Sequence, residues 1–168
     1  MAMTAGTAYK RSYMALFLDE NFGTSPNYVI QGKTIESASY DFGINTESTV
    51  NILDEVNVQI TEYTPTFQES TYTCTKGDKI WTKLYGNVQA RTTADQYETT
   101  AVDVILDSEG NIESAYRTTV RIIPASMGAD GGKELQMDFT VNYTGTPESL
   151  DVTKCAIANG VFTYTPGE

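Results

Sequence analysis

Histidine is absent from the 168-residue chain, and cysteine occurs only twice. Without histidine there is no Ser-His-Asp triad, no Cys-His dyad and no imidazole-ligated metal site. The two cysteines, Cys74 and Cys155, cannot make a four-cysteine zinc site. They read as free thiols, the default in a reducing compartment, and two cysteines alone do not reveal a disulfide. Positive charge is also scarce. Eleven Lys and Arg against 22 Asp and Glu give a net charge of −11. That balance disfavours a grip on nucleic-acid phosphates and docking on anionic membrane. Long apolar runs are missing too. Met14-Ala15-Leu16-Phe17-Leu18 is too short for a signal or a membrane span, so a cytoplasmic product is expected.

Hydroxyls take the place of charge: 25 Thr and 11 Tyr, with charged residues at only 20%. Both types favour strands, so the expected class is all-β with one short helix, as a sandwich or barrel in a single domain. The first thirty residues read as an arm (1–20) or a first strand. Residues 35–44 and 50–63 read as two strands of a long hairpin (35–63) joined by the polar loop 45–49. Val56, Val58 and Ile60 alternate there with Asn57 and Gln59. Residues 64–76 are ambiguous. Gly77-Asp78 opens a helix over 77–86, capped by Asp78, with Ile80, Trp81, Leu84 and Tyr85 on its core stripe and Gly86-Asn87 closing it. Trp81 is the expected anchor.

The remaining strands are expected over 99–165. Val102, Val104 and Leu106 share one face of residues 99–106. In 112–123, Ile112, Tyr116, Val120 and Ile122 face the core, opposite Arg117, Thr119 and Arg121. Residues 124–133 form a Gly-rich loop. Leu135, Met137, Phe139, Val141 and Tyr143 alternate with polar residues in the clearest half-buried strand. Asn159-Gly160 suits a tight hairpin turn between 150–157 and 161–165.

No catalytic constellation emerges. Asp107-Ser108-Glu109-Gly110 lacks the spacing of a calcium loop and reads as a turn. Asp130-Gly131-Gly132 is a turn and not a phosphate loop. Ser126 lies in no nucleophile elbow, and the adjacent Asp54-Glu55 pair reads as solvated. A non-enzyme without cofactor or metal is expected. One charge pattern stands out: residues 35–75 carry Glu36, Asp41, Glu47, Asp54, Glu55, Glu62 and Glu69 but no Lys or Arg. The bland reading is a solubilising face; the functional one is a surface that repels another polyanion. Later in the chain, Arg117 and Arg121 are expected to pair across strands with Asp138.

The order of these elements carries a resemblance. A long early hairpin precedes ITEYTPTFQESTYTC (60–74), the helix GDKIWTKLYG (77–86), then VDVILD, YRTTVRIIP and LQMDFTVNYTGTPE. This resembles the major tail tube proteins of tailed bacteriophages, notably those infecting Gram-positive bacteria, over roughly residues 30–165. The resemblance implies a β-sandwich whose inner sheet joins a hexameric ring barrel, the rings stacking into a virion tail tube assembled in the host cytoplasm. About 24 strands at ~4.8 Å spacing and ~40° tilt give a wall roughly 48 Å across and a bore near 40 Å, wide enough for duplex DNA.

The implied partners are further copies of the chain, a tape measure protein, terminator and distal tail or baseplate proteins, and double-stranded DNA as repelled cargo. Glu36, Asp41, Asp54, Glu55 and Glu62 become candidates for a lumen-facing acidic set, with the face fixed by register. The arm, loop 45–49 and the C terminus are candidates for ring-to-ring contact. A contractile tail, tailocin or type VI-like tube fits the same pattern. A carbohydrate-binding or capsid-decoration module is the rival of another class; core-facing Tyr116 and Tyr143 argue against its aromatic platform.

Overall fold

The computed structural model describes residues 7–23, 25–32 and 37–166. Their strands, in chain order, are β1 (Met14–Asp19), β2 (Tyr28–Ile30), β3 (Ser37–Asp41), β4 (Ile44–Val50), β5 (Val56–Tyr63), β6 (Thr66–Thr73), β7 (Glu98–Leu106), β8 (Ile112–Gly128), β9 (Gln136–Tyr143), β10 (Glu148–Ser149), β11 (Cys155–Ala158) and β12 (Val161–Tyr164). One α-helix, α1 (Lys79–Ala90), interrupts them between β6 and β7. The molecule is thus all-β with one short helix. Ten strands form an open antiparallel sheet in the order β11-β12-β2-β1-β7-β8-β9-β6-β3, with β10 paired to β8. Strands β4 and β5 pair with each other and form a separate ribbon.

The apolar run at 14–18 is not an arm. As β1 it lies between β2 and β7, and Phe17 and Leu18 are fully buried. A strand covered on both faces reads as a continuous apolar run, which explains why alternation is absent there. Leu16 and Leu18 enter one core with Phe67, Val120, Ile122 and Phe139. Ala15 and Phe17 enter a second core with Val102, Val104, Leu150 and Phe162. The Phe17 and Phe162 rings lie 5.6 Å apart.

Helix α1 lies over the first core. Ile80 and Leu84 are buried in it, Trp81 is half-buried at its margin, and Tyr85 is exposed, stacked on Trp81 at 5.7 Å. Fully burying one such aliphatic side chain stabilises the fold by roughly 1.5–3 kcal/mol. Asp78 caps the helix: its Oδ1 accepts from the Trp81 N–H at 3.1 Å, and its Oδ2 accepts from the Tyr72 hydroxyl. The helix does not stop at Gly86-Asn87. It runs to Ala90 and is closed by Arg91 in the left-handed region, φ 51°. Asn87 is buried and donates Nδ2 to the Gln96 carbonyl at 2.7 Å, so its side chain ties the helix to the next segment.

Other boundaries move as well. The ambiguous residues 66–73 are β6, placed between β3 and β9. Strand β8 continues through Pro124 to Gly128, into the expected loop, and accommodates the proline at an irregularity between Pro124 and Ser126. The expected Arg–Asp138 pairs do not form. Register sets Asp138 opposite Ser126 and Arg121 opposite Asn142. Arg117 instead reaches Glu148 at 2.7 Å, and Arg121 reaches Glu98 at 3.1 Å and Asp95 at 3.6 Å. At Asp107, the carboxylate accepts N–H groups from Glu109 and Asn111, both at 2.8 Å, which makes it the organiser of a hairpin turn. Asn159 and Gly160 both have positive φ, as their turn requires.

Candidate functional site

The hairpin between residues 44 and 63 is the unusual part of the molecule. Every residue of β4 and β5 is exposed. The expected hairpin 35–63 therefore divides. Its first strand, β3, pairs with β6 in the main sheet, and the free ribbon begins only after Gly43. Gly43 has φ 54°, and a Cβ there would lie 2.1 Å from the Thr64 carbonyl oxygen, so glycine is required where the ribbon leaves the body.

The turn also moves. Residues 45–49, expected as the connecting loop, are strand; the turn is 51–55. Asn51 builds it. Its Oδ1 accepts from the N–H groups of Leu53 at 2.8 Å and Glu55 at 3.1 Å. Its Nδ2 donates to the Glu55 carboxylate at 2.9 Å, and Asp54 adopts φ 59°. This is an Asx-type turn, and the signal for it in sequence is Asn51 followed by Asp54.

Register sorts the ribbon into two faces. Val50 opposes Val56, Ser48 opposes Val58, and Thr46 opposes Ile60. Alternation sends these side chains to one side. Glu47 opposes Gln59 and Thr49 opposes Asn57 on the other side, where Asn45 opposes Glu62 beyond a bulge. The ribbon is amphipathic, yet none of the described residues covers its apolar face. At its tip, Ile52 is 100% exposed and Leu53 is 72% exposed.

The acidic candidates are scattered by this geometry. Glu36 lies outside the described residues. Asp41 ends β3, on the main sheet, where its Oδ1 accepts from the Gly43 N–H at 2.9 Å. Asp54 and Glu55 sit in the tip turn. Glu62 is on the ribbon's polar face together with Glu47, which was not among the candidates. The apolar tip was missed as well; its signal is an Ile-Leu pair inside a polar turn.

At the ribbon's root, the first core opens to the surface as an apolar groove of about 680 Å³. Tyr40, Phe42, Tyr63, Tyr116 and Tyr143 line it. Tyr40 meets Phe42 and Tyr143 edge-on, each at 5.3 Å and 65°. Contrary to expectation, Tyr116 is exposed and Tyr143 only half-buried. Strand β8 outruns the core at Tyr116, so its inward face meets the groove and not packed side chains. The edge-on rings do not make a flat stacking platform.

Asp103 lines the groove and accepts a 2.8 Å hydrogen bond from the Tyr143 hydroxyl. Burial pushes its carboxyl up to about 6, against the lowering effect of that bond. Burial and the neighbouring Asp103 both raise the Tyr143 and Tyr40 hydroxyls above their ordinary range. A second displaced carboxyl lies deeper. Glu69 is 2% exposed, with neither oxygen hydrogen-bonded. Burial pushes it up to about 8, and the charge of Arg11 offsets part of the rise. Among the described residues no group of three or more Cys, Asp and Glu can hold a metal.

No protein-family model and no curated protein matches the sequence. Solved structures match in fold. A chain of the anti-feeding prophage baseplate, 6-fold symmetrised, gives a TM-score of 0.47 at 12% identity over 89% of this chain and 99% of that one. The anti-feeding prophage cap, a tube-terminating cap, gives a TM-score of 0.52 at 11% identity over 88% of this chain and 95% of that one. Along nearly its whole length, this chain is similar in fold to a protein that closes a tube.

Proposed function

We propose that the protein is a structural tail component of a phage-like particle, a subunit that self-assembles into stacked hexameric rings forming a conduit for DNA. The observation that carries this is the amphipathic ribbon 44–63, whose apolar face the described residues leave bare. An isolated two-stranded ribbon is marginal in water, and exposed apolar patches of this kind mark association surfaces. Neighbouring copies pairing ribbon to ribbon would remove both free strand edges, and the bodies of the ring packed behind the ribbons would cover that face. The fold likeness to a tube-terminating cap supports the same assignment.

In such a ring the polar face, with Glu47 and Glu62, faces the bore and keeps DNA sliding by like-charge repulsion. Further partners are a tape measure protein, terminator and baseplate proteins. Residues 15–19 take no part in ring-to-ring contact, because they are buried in the core. The cap likeness favours one second reading, a ring that ends a tube and does not propagate it; a contractile machine would use either.

Negative-stain electron microscopy of concentrated protein at low and high salt tests the proposal. Salt screens repulsion between copies carrying −11 each. Hollow tubes are expected; a bore near 40 Å takes about 24 strands, so each of six copies would add two strands of its main sheet to the two of the ribbon. Single rings that never stack favour the terminating role. Monomeric particles at every salt and concentration overturn self-assembly.

A further inference from the structure

We infer that the Ile52–Leu53 tip of one copy seats in the aromatic groove of a second copy. This rests on the self-assembly reading above and specifies a contact within it. The two surfaces match in chemistry. The tip presents two adjacent aliphatic side chains, one of them wholly exposed. The groove presents Phe42, Tyr63 and Tyr116, all exposed, around an apolar interior.

Geometry makes the contact intermolecular. The groove sits at the root of the ribbon and the tip at its far end. Eight residues of β5 at ~3.3 Å each hold the two about 25 Å apart, so a regular ribbon cannot fold back into its own groove. The tip is also pre-organised. Three hydrogen bonds from Asn51 fix the turn before any partner arrives, which lowers the ordering cost of docking.

Charge fits the same pose. The tip pair is followed at once by Asp54 and Glu55. Outside the groove's lining, Arg11 donates to the carbonyl of Met14, a lining residue, at 2.9 Å and places a positive charge beside the groove. Asp103 is the groove's own carboxyl, and burial raises its proton affinity. Tip and groove are different surfaces, so the contact is head-to-tail: each copy that receives a tip still offers its own, and the series propagates.

Cross-linking between two variants tests this, in a Cys74→Ser, Cys155→Ser background of the full chain. Leu53→Cys and Tyr116→Cys are made in separate chains and mixed under mild oxidation. The expected result is a disulfide-linked heterodimer forming at least about tenfold faster than between Leu53→Cys and a control, Lys133→Cys, on a distant exposed loop. Leu53→Asp, at a site exposed in the monomer, should keep the wild-type circular dichroism and weaken association in sedimentation at least about tenfold. If the wild type associates but Leu53→Asp associates equally, or Leu53→Cys links only to itself, this contact is overturned while self-assembly stands. If the wild type never associates, both are overturned.

Discussion

Replacing Glu69 by Gln should abolish a pH dependence of stability that this one carboxyl imposes. In the fold the side chain is 2% exposed, faces the first core and has no hydrogen-bond partner. Its proton is held up to about 8, against an ordinary 4.5. Below about 4.5 both folded and unfolded chains keep the proton, and the group contributes no pH dependence. Between about 4.5 and 8 the unfolded chain releases it and the folded chain does not, so stability falls as pH rises. Above about 8 both forms are ionised and the full cost is present. At about 1.4 kcal/mol per pH unit, that interval corresponds to roughly 5 kcal/mol.

The assay is urea unfolding followed by the single Trp81, at pH steps from 4.5 to 9 and below the concentration at which sedimentation shows association. Other titrating groups, Asp103 included, are common to both proteins and cancel in the difference. Near pH 4.5 the two should be nearly equal. By pH 9 Glu69→Gln should be the more stable by roughly 5 kcal/mol, or about 10–20 °C in Tm for a chain of this size. A difference independent of pH would refute the reasoning. So would the opposite slope, which would mean that Glu69 is ionised and paired with Arg11.

Gly43→Ala should break the seat of the ribbon: its Cβ would meet the Thr64 carbonyl at 2.1 Å, so assembly should fail in sedimentation while α1 and the main sheet keep their circular dichroism. Asp78→Ala removes the helix cap and strands the Tyr72 hydroxyl, and should cost about 1–3 kcal/mol in urea unfolding. Val56→Thr with Val58→Thr should leave monomer stability within about 0.5 kcal/mol, since both side chains are exposed, but should suppress association seen by light scattering. Covering Asp103 with an apolar tip removes water from a carboxyl already at about 6, so association should strengthen as pH falls through 6. Asp103→Asn should flatten that profile relative to wild type in sedimentation at pH 5.5 and 7.5.

Local patterns in the sequence were informative where one face is buried and the other is wet. Strand β9 shows this: Met137, Phe139 and Val141 alternate with polar residues and are buried. The same pattern was less informative at β5. Val56, Val58 and Ile60 do share a face, but alternation reports only that a face is apolar, not what covers it. In β1 the pattern vanished because both faces are covered, and an apolar run of five left an arm and a first strand both open. Gly86-Asn87 looked like a helix stop, yet the amide of Asn87 finds the Gln96 carbonyl, a partner nine residues away. The turn at 51–55 was misplaced because Ile52 and Leu53 make it read as strand while Asn45–Thr49 is wholly polar, and only pairing register separates them.

Composition and periodicity by themselves determined the class, the capped helix and the absence of histidine-dependent chemistry, since each follows from residue type or from contacts within a few positions. The tertiary structure decided the rest. It placed Leu16 and Phe17 on opposite sides of one strand, left the ribbon outside the core, and gathered residues 40, 63, 103, 116 and 143 into one groove. Those outcomes depend on strand order and register between segments dozens of residues apart, and a register is fixed only when the whole sheet closes on its cores.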